Sequence, residues 1–112
     1  MKRIEAIIRP AKVSDVCAAL DRAGHRGVTI SSVEGRGSQQ GWTNQVRGVA
    51  RKMNIISKAR VEVVVQDDDA DKIIKTIRDS ALTGKVGDGK IFVHDMAEVI
   101  RIRTNESGMA AL

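Results

Sequence analysis

Val61-Glu62-Val63-Val64-Val65-Gln66-Asp67-Asp68-Asp69-Ala70, followed by Ile73, Ile74, Ile77 and Ala81, reads as a strand, a turn and a helix. A run of valines favours extended backbone, and the later apolar residues recur at the i, i+3, i+4, i+7 spacing of one helical face. An aspartate at the turn can cap the helix, which ends at Gly84. Ile91-Phe92-Val93 then forms another strand. The same pattern opens the chain. Ile4-Glu5-Ala6-Ile7-Ile8 is strand-like, Arg9-Pro10 turns, and Val13, Val16, Cys17 and Leu20 form a helical stripe ending at Gly24, a C-cap. The strand Val28 to Val33 follows. Two βαβ units in about a hundred residues predict an α+β, ferredoxin-like βαββαβ sandwich, with both helices on one face of a four-stranded antiparallel sheet. The opposite face is then bare, and expected to be apolar and covered in a symmetric oligomer.

The loop after the second helix carries the most specific chemistry. Thr83-Gly84-Lys85-Val86-Gly87-Asp88-Gly89-Lys90 holds three glycines within six residues, and Arg101-Ile102-Arg103 follows. Glycines let backbone N–H groups approach an anion closely, and Lys90, Arg101 and Arg103 supply charge. Gly84-x4-Gly89-Lys90 has P-loop spacing, but Ile91 stands where a magnesium-binding hydroxyl is needed, and the loop leaves a helix for a strand rather than the reverse. Gly35-x-Gly37-x3-Gly41 is one residue too long for a dinucleotide fingerprint, and no helical pattern follows it. An ordinary glycine turn competes with the anion reading for each stretch.

Composition narrows the classes. The chain has 112 residues, 19 basic and 14 acidic, for a formal charge of +5, with one Cys, one Trp, one Phe and no Tyr. That suits one domain whose apolar surface oligomerisation would help bury. A single Cys cannot form a disulfide within the chain, and no long apolar run suggests secretion or membrane insertion, so a cytoplasmic protein is expected. The basic residues form no run and lack aromatic stacking partners, which favours a small charged anion over nucleic acid. From about 36 to 54 runs a polar, basic segment too long for a hairpin, with Trp42, Val46, Val49 and Met53 as possible anchors for a partner.

Four segments in order carry a family resemblance: Met1 to Pro10, Val61 to Val65, Thr83 to Val93, and Val99 to Thr104. Across essentially its whole length the chain resembles the PII signal-transduction proteins, the trimeric nitrogen-regulatory family. The resemblance implies a single domain over 1–112, with a T-loop at about 36–54, a B-loop at about 82–90 and a C-loop at about 101–108. It implies a homotrimer binding ATP or ADP between subunits. Gly87, Asp88, Gly89 and Lys90 would surround the phosphates from one subunit, and Arg101 and Arg103 from its neighbour. Thr29, Gly35, Gly37 and Val64 would line the adenine and ribose pocket, with Ser38 beside the nucleotide. Gln39 would ligate Mg2+ together with ATP and 2-oxoglutarate. Arg9, Gln40, Gly41 and Lys58 would complete the 2-oxoglutarate site. An amide oxygen suits magnesium, and an ammonium suits a carboxylate.

The T-loop would bind a target protein through Trp42, Val46, Arg47, Val49 and Arg51, which implies an ammonium channel or a nitrogen-metabolism enzyme and recruitment to the membrane by a channel. Departures from the family pattern bear on this. Arg51 stands where modified members carry the tyrosine, so uridylylation is chemically impossible. Val49 replaces the serine phosphorylated in other members. Ser38 replaces an arginine that reaches the γ-phosphate, removing a charge-assisted contact worth about 1.5–3 kcal/mol. Gln40 stands where a lysine is usual. Branches lacking the tyrosine suggest, as an alternative, an adenylate-responsive paralogue controlling a transport or efflux system.

The remaining residues suggest no catalysis. Cys17 lies on the first helix's apolar stripe and is expected to be buried. His25 and His94 are far apart in sequence with no second ligand at metal spacing. Asp67-Asp68-Asp69 reads as a solvated helix start, and no nucleophile–base pair is evident. A regulator rather than an enzyme is therefore expected, with weak ATP hydrolysis as the competing activity.

Overall fold

The computed structural model describes residues 1–36 and 55–112. Strand β1 (Lys2–Ile8) passes through a 3-10 turn (Pro10–Lys12) into helix α1 (Val13–Arg22). β2 (Thr29–Arg36), β3 (Ile55–Val65), α2 (Asp67–Ala81) and β4 (Lys90–Asp95) follow, with a second 3-10 turn at Gly108–Ala111. The sheet order is β2-β3-β1-β4, antiparallel at every pairing. This is the expected α+β, ferredoxin-like arrangement: each βαβ unit crosses over to leave room for a strand of the other.

Register explains the core. Ile4 pairs with Val63, Ala6 with Val61 and Ile8 with Ala59, so all six point to one face. Val16 and Leu20 of α1 and Ala70, Ile73, Ile77 and Ala81 of α2 cover them. The α2 residues fall on one helical stripe, as their spacing predicts. Helix α1 ends in a Schellman turn. Gly24, at φ +90°, donates to the Asp21 carbonyl (3.0 Å), and His25 donates to the Leu20 carbonyl (2.9 Å).

Several expectations need correction. The uncovered face mixes charged with apolar side chains rather than being apolar throughout. Arg3 Nη1 lies 2.9 Å from Glu62 Oε2, and Glu5 lies 3.3 Å from Arg60 Nη1 and 3.7 Å from His94 Nε2. Glu5 and Glu62 are cross-strand partners, and Arg60 and Arg3 neutralise this like-charge pair diagonally. Apolar Ile7, Val33, Val64 and Phe92 share that face with them. No aspartate caps α2. Gln66 is its N-cap without a side-chain bond, and Asp67, Asp68 and Asp69 occupy the first turn, where the helix dipole favours them. The helix ends before Gly84, with Leu82 already extended. β3 begins six residues earlier than the valine run, because polar Ser57, Lys58 and Arg60 pair with β2. Cys17 is half-buried and outside the core. After β4 the only pairing is an isolated bridge, Ile100 to Ser107, among the described residues. Among those residues no helix is long and apolar enough to cross a membrane.

Candidate functional site

The loop joining α2 to β4 is held from inside by one carboxylate. Asp88 Oδ2 accepts from the backbone N–H groups of Thr83 (2.9 Å) and Gly84 (2.8 Å), while Oδ1 accepts from the Thr83 hydroxyl (2.5 Å) and Arg9 Nε (3.1 Å). The Thr83 hydroxyl, then the Thr83 and Gly84 N–H groups and Arg9, hold this carboxyl far below the usual carboxylate range. The charge of Asp88 is thus turned into the loop.

Two strands brace the same loop. From β3, the Lys58 ammonium donates to the Gly87 carbonyl (2.5 Å). From the end of β1, Arg9 Nη2 donates to the Val86 carbonyl (2.8 Å). Gly89, at φ +98°, sits so close to β1 that a Cβ would stand 1.7 Å from the Ile7 carbonyl oxygen. Glycine is therefore required there by the protein's own packing as well as by backbone conformation.

The braced loop forms one wall of a cavity of about 440 Å³ that Ile7, Gly35, Lys58, Gly87, Lys90 and Phe92 help to line. Ile7, Ile56, Val86 and Phe92 were not singled out by sequence reasoning. The signal was available: strand alternation puts Ile7 on the opposite face from Ile4, Ala6 and Ile8. The Gly87 N–H donates to no backbone carbonyl among the described residues, and Lys90 has no ion pair there. A Gly87 N–H beside the Lys58 and Lys90 ammonium groups fits an anionic ligand with an apolar portion against Ile7 and Phe92.

The other anticipated residues lie elsewhere. Thr29 is opposite Glu62, and Val64 is opposite Arg3. Lys58 and Val64 are thus six residues apart on β3, about 20 Å along an extended strand. Beyond β4, Met96 donates to the Met1 carbonyl, so Arg101 and Arg103 follow from the Val64 end. Arg101 is held by its own segment: its N–H donates to the Glu106 carbonyl (2.8 Å) and Nη2 to the Leu112 carbonyl (3.2 Å). Arg103 is exposed. The structure therefore brings Gly35, Lys58, Gly87, Gly89, Lys90 and Arg9 together, leaves Thr29 and Val64 toward the other end of the sheet, and carries Arg101 and Arg103 on the segment after β4. Gly37, Ser38, Gln39, Gln40, Gly41, Trp42, Val46, Arg47, Val49 and Arg51 lie outside the described residues. Among the described residues no group of three His, Cys, Asp or Glu could hold a metal ion.

Comparison with known proteins agrees with this architecture over nearly the whole chain. The model of the family "Nitrogen regulatory protein P-II" matches residues 1–106. A curated "Nitrogen regulatory protein P-II 2" from Methanothermobacter thermautotrophicus is 48% identical over 112 residues, covering all of this chain and 97% of that one. "Nitrogen regulatory protein P-II 1" from Escherichia coli is also 48% identical, over the full length of both. Among solved structures, Arabidopsis thaliana PII bound to citrate superposes with a TM-score of 0.82 at 39% identity, covering 99% of this chain and 91% of that one.

Proposed function

This chain belongs to the nitrogen regulatory protein P-II family, and we propose that it works as a non-enzymatic sensor whose homotrimer binds ATP or ADP in clefts between copies. One copy supplies Gly35, Gly87, Gly89 and Lys90, and its neighbour supplies Thr29, Val64, Arg101 and Arg103. The observation that carries this reading is the separation of Gly35, on the cavity beside the loop, from Thr29, six residues and about 20 Å away along β2, with Val64 likewise distant from Lys58 on β3, too far for one chain to close both around the same nucleotide. Gln39 holds Mg2+ with ATP and 2-oxoglutarate, and Lys58 receives the distal carboxylate. Ligands then shift the 36–54 loop between states that bind or release a target, to the extent that they prefer one state. Trp42, Val46, Arg47, Val49 and Arg51 form the contact surface for an ammonium channel, a nitrogen enzyme or another transporter. Without any tyrosine, this control operates without uridylylation.

Calorimetric titration with ATP and ADP, each with magnesium and with or without 2-oxoglutarate, tests the ligands. Strengthening of ATP binding by 2-oxoglutarate is the expected result. Nucleotide binding indifferent to 2-oxoglutarate would favour the adenylate-responsive alternative. Mixed oligomers test the shared cleft. K90A and R103A should each abolish ADP binding alone, and co-assembled K90A and R103A chains should recover it, because some clefts then pair an intact Lys90 with an intact Arg103. Absence of recovery in verified mixed oligomers would rule out a site built from two copies.

A further inference from the structure

We infer that Arg9 is a positioning residue of the nucleotide's phosphate loop, an inference that rests on the nucleotide reading above and extends it. Family resemblance gives Arg9 to a carboxylate effector, but its guanidinium is already engaged with the loop. Nε meets Asp88 Oδ1 at 3.1 Å, and Nη2 meets the Val86 carbonyl at 2.8 Å and the Lys85 carbonyl at 3.5 Å. A Cβ on Gly87 would lie 3.1 Å from Nη2, so the loop backbone rests directly on the guanidinium. Only an arginine can reach a carboxylate and a carbonyl from one rigid, permanently charged plane.

The arrangement has a consequence for binding. The segment 82–89 has no regular structure of its own between α2 and β4, yet its donors must be in place before an anion arrives. Asp88 gathers Thr83 and Gly84, and Arg9 ties that cluster and the Val86 carbonyl to the end of β1. Pro10, which opens the 3-10 turn, constrains the backbone immediately after Arg9. Lys58 holds Gly87 from β3. The loop is thus preorganised by side chains distant in sequence, and a preorganised loop loses less entropy when the ligand binds.

The test compares ADP with adenosine, which lacks phosphates, on wild type, R9A, R9K and D88N. R9A and D88N should each weaken ADP binding by roughly tenfold, about one hydrogen bond to a charged group, and leave adenosine binding unchanged. The double variant should lose no more than either single one, since both break one contact network. R9K, which keeps the charge without the planar fork, should remain impaired. Amide hydrogen exchange at Thr83 and Gly84 should accelerate in R9A. ADP binding by R9A equal to wild type, with only 2-oxoglutarate binding lost, would overturn the inference in favour of a direct effector ligand. Equal loss of ADP and adenosine would overturn it too, as a general effect on folding. If wild type bound neither nucleotide nor nucleoside, the nucleotide reading would fall, while unchanged exchange at Thr83 and Gly84 in R9A would separately refute the clip.

Discussion

The two faces of the sheet are made by the same strands and follow different physics. Toward the helices, Ile4, Ala6, Val61 and Val63 are sealed under α1 and α2, and among the described residues no polar side chain is buried with them. On the other side Arg3, Glu5, Lys58, Arg60, Glu62 and His94 alternate with Ile7, Val33, Val64 and Phe92. One face removes apolar area from water and so holds the fold. The other keeps enough polar chemistry for recognition, and Glu5 and Glu62 at its centre are paired with Arg60 and Arg3 before any partner arrives. A sheet can therefore keep an uncovered face without presenting a continuous apolar patch.

The sharpest way to separate the faces is to damage the covered one. Ile73→Ala deletes a fully buried side chain and should cost about 2–5 kcal/mol of unfolding free energy, read as a lower urea midpoint. Gly89→Ala, at the edge of the open face, should cost about 1–3 kcal/mol from backbone strain, and should lose ADP binding because the loop must move off the Ile7 carbonyl. Retained affinity by calorimetry would show that the loop tolerates the displacement. On the open face, Glu62→Gln should change the stability of a single copy by only about 0.2–1 kcal/mol, as for partly exposed ion pairs. Its effect should grow with protein concentration if that face lies between copies, which light scattering and concentration-dependent melting will reveal.

Smaller effects refine the contrast. Asp88 has a depressed pKa in the folded loop, so the stability from its clip is complete above the unfolded aspartate value of about 3.9 and is lost as pH falls below that through the folded value. The melting difference between wild type and D88N should therefore be constant from pH 7 to about 5 and shrink only in strong acid. A difference that already shrinks near neutrality would mean the clip is not formed in solution. Lys75→Ala, which removes an exposed i,i+4 pair with Asp79 on α2, should leave the melting midpoint unchanged within error.

Much of this molecule was legible from local pattern. Period-two and period-3.6 spacings marked the four strands and two helices, the glycines marked the loop, and the ordered segments marked the family. Local pattern misjudged the open face because Glu5, Arg60 and Glu62 look like solvent-facing residues until cross-strand register makes them neighbours. It missed the apolar cavity wall for the same reason, since Ile7 and Phe92 meet only across paired strands.

By itself the sequence determined the element order, the fold class and which residue types could meet an anion, because each depends on spacing along the chain. Only the tertiary structure decided that Asp88 points into its own loop, that Arg9 reaches it from 79 residues away, and that Lys58 and Val64 serve opposite ends of one sheet. These are consequences of register and close packing, which bring together groups whose separation along the chain carries no periodic signal.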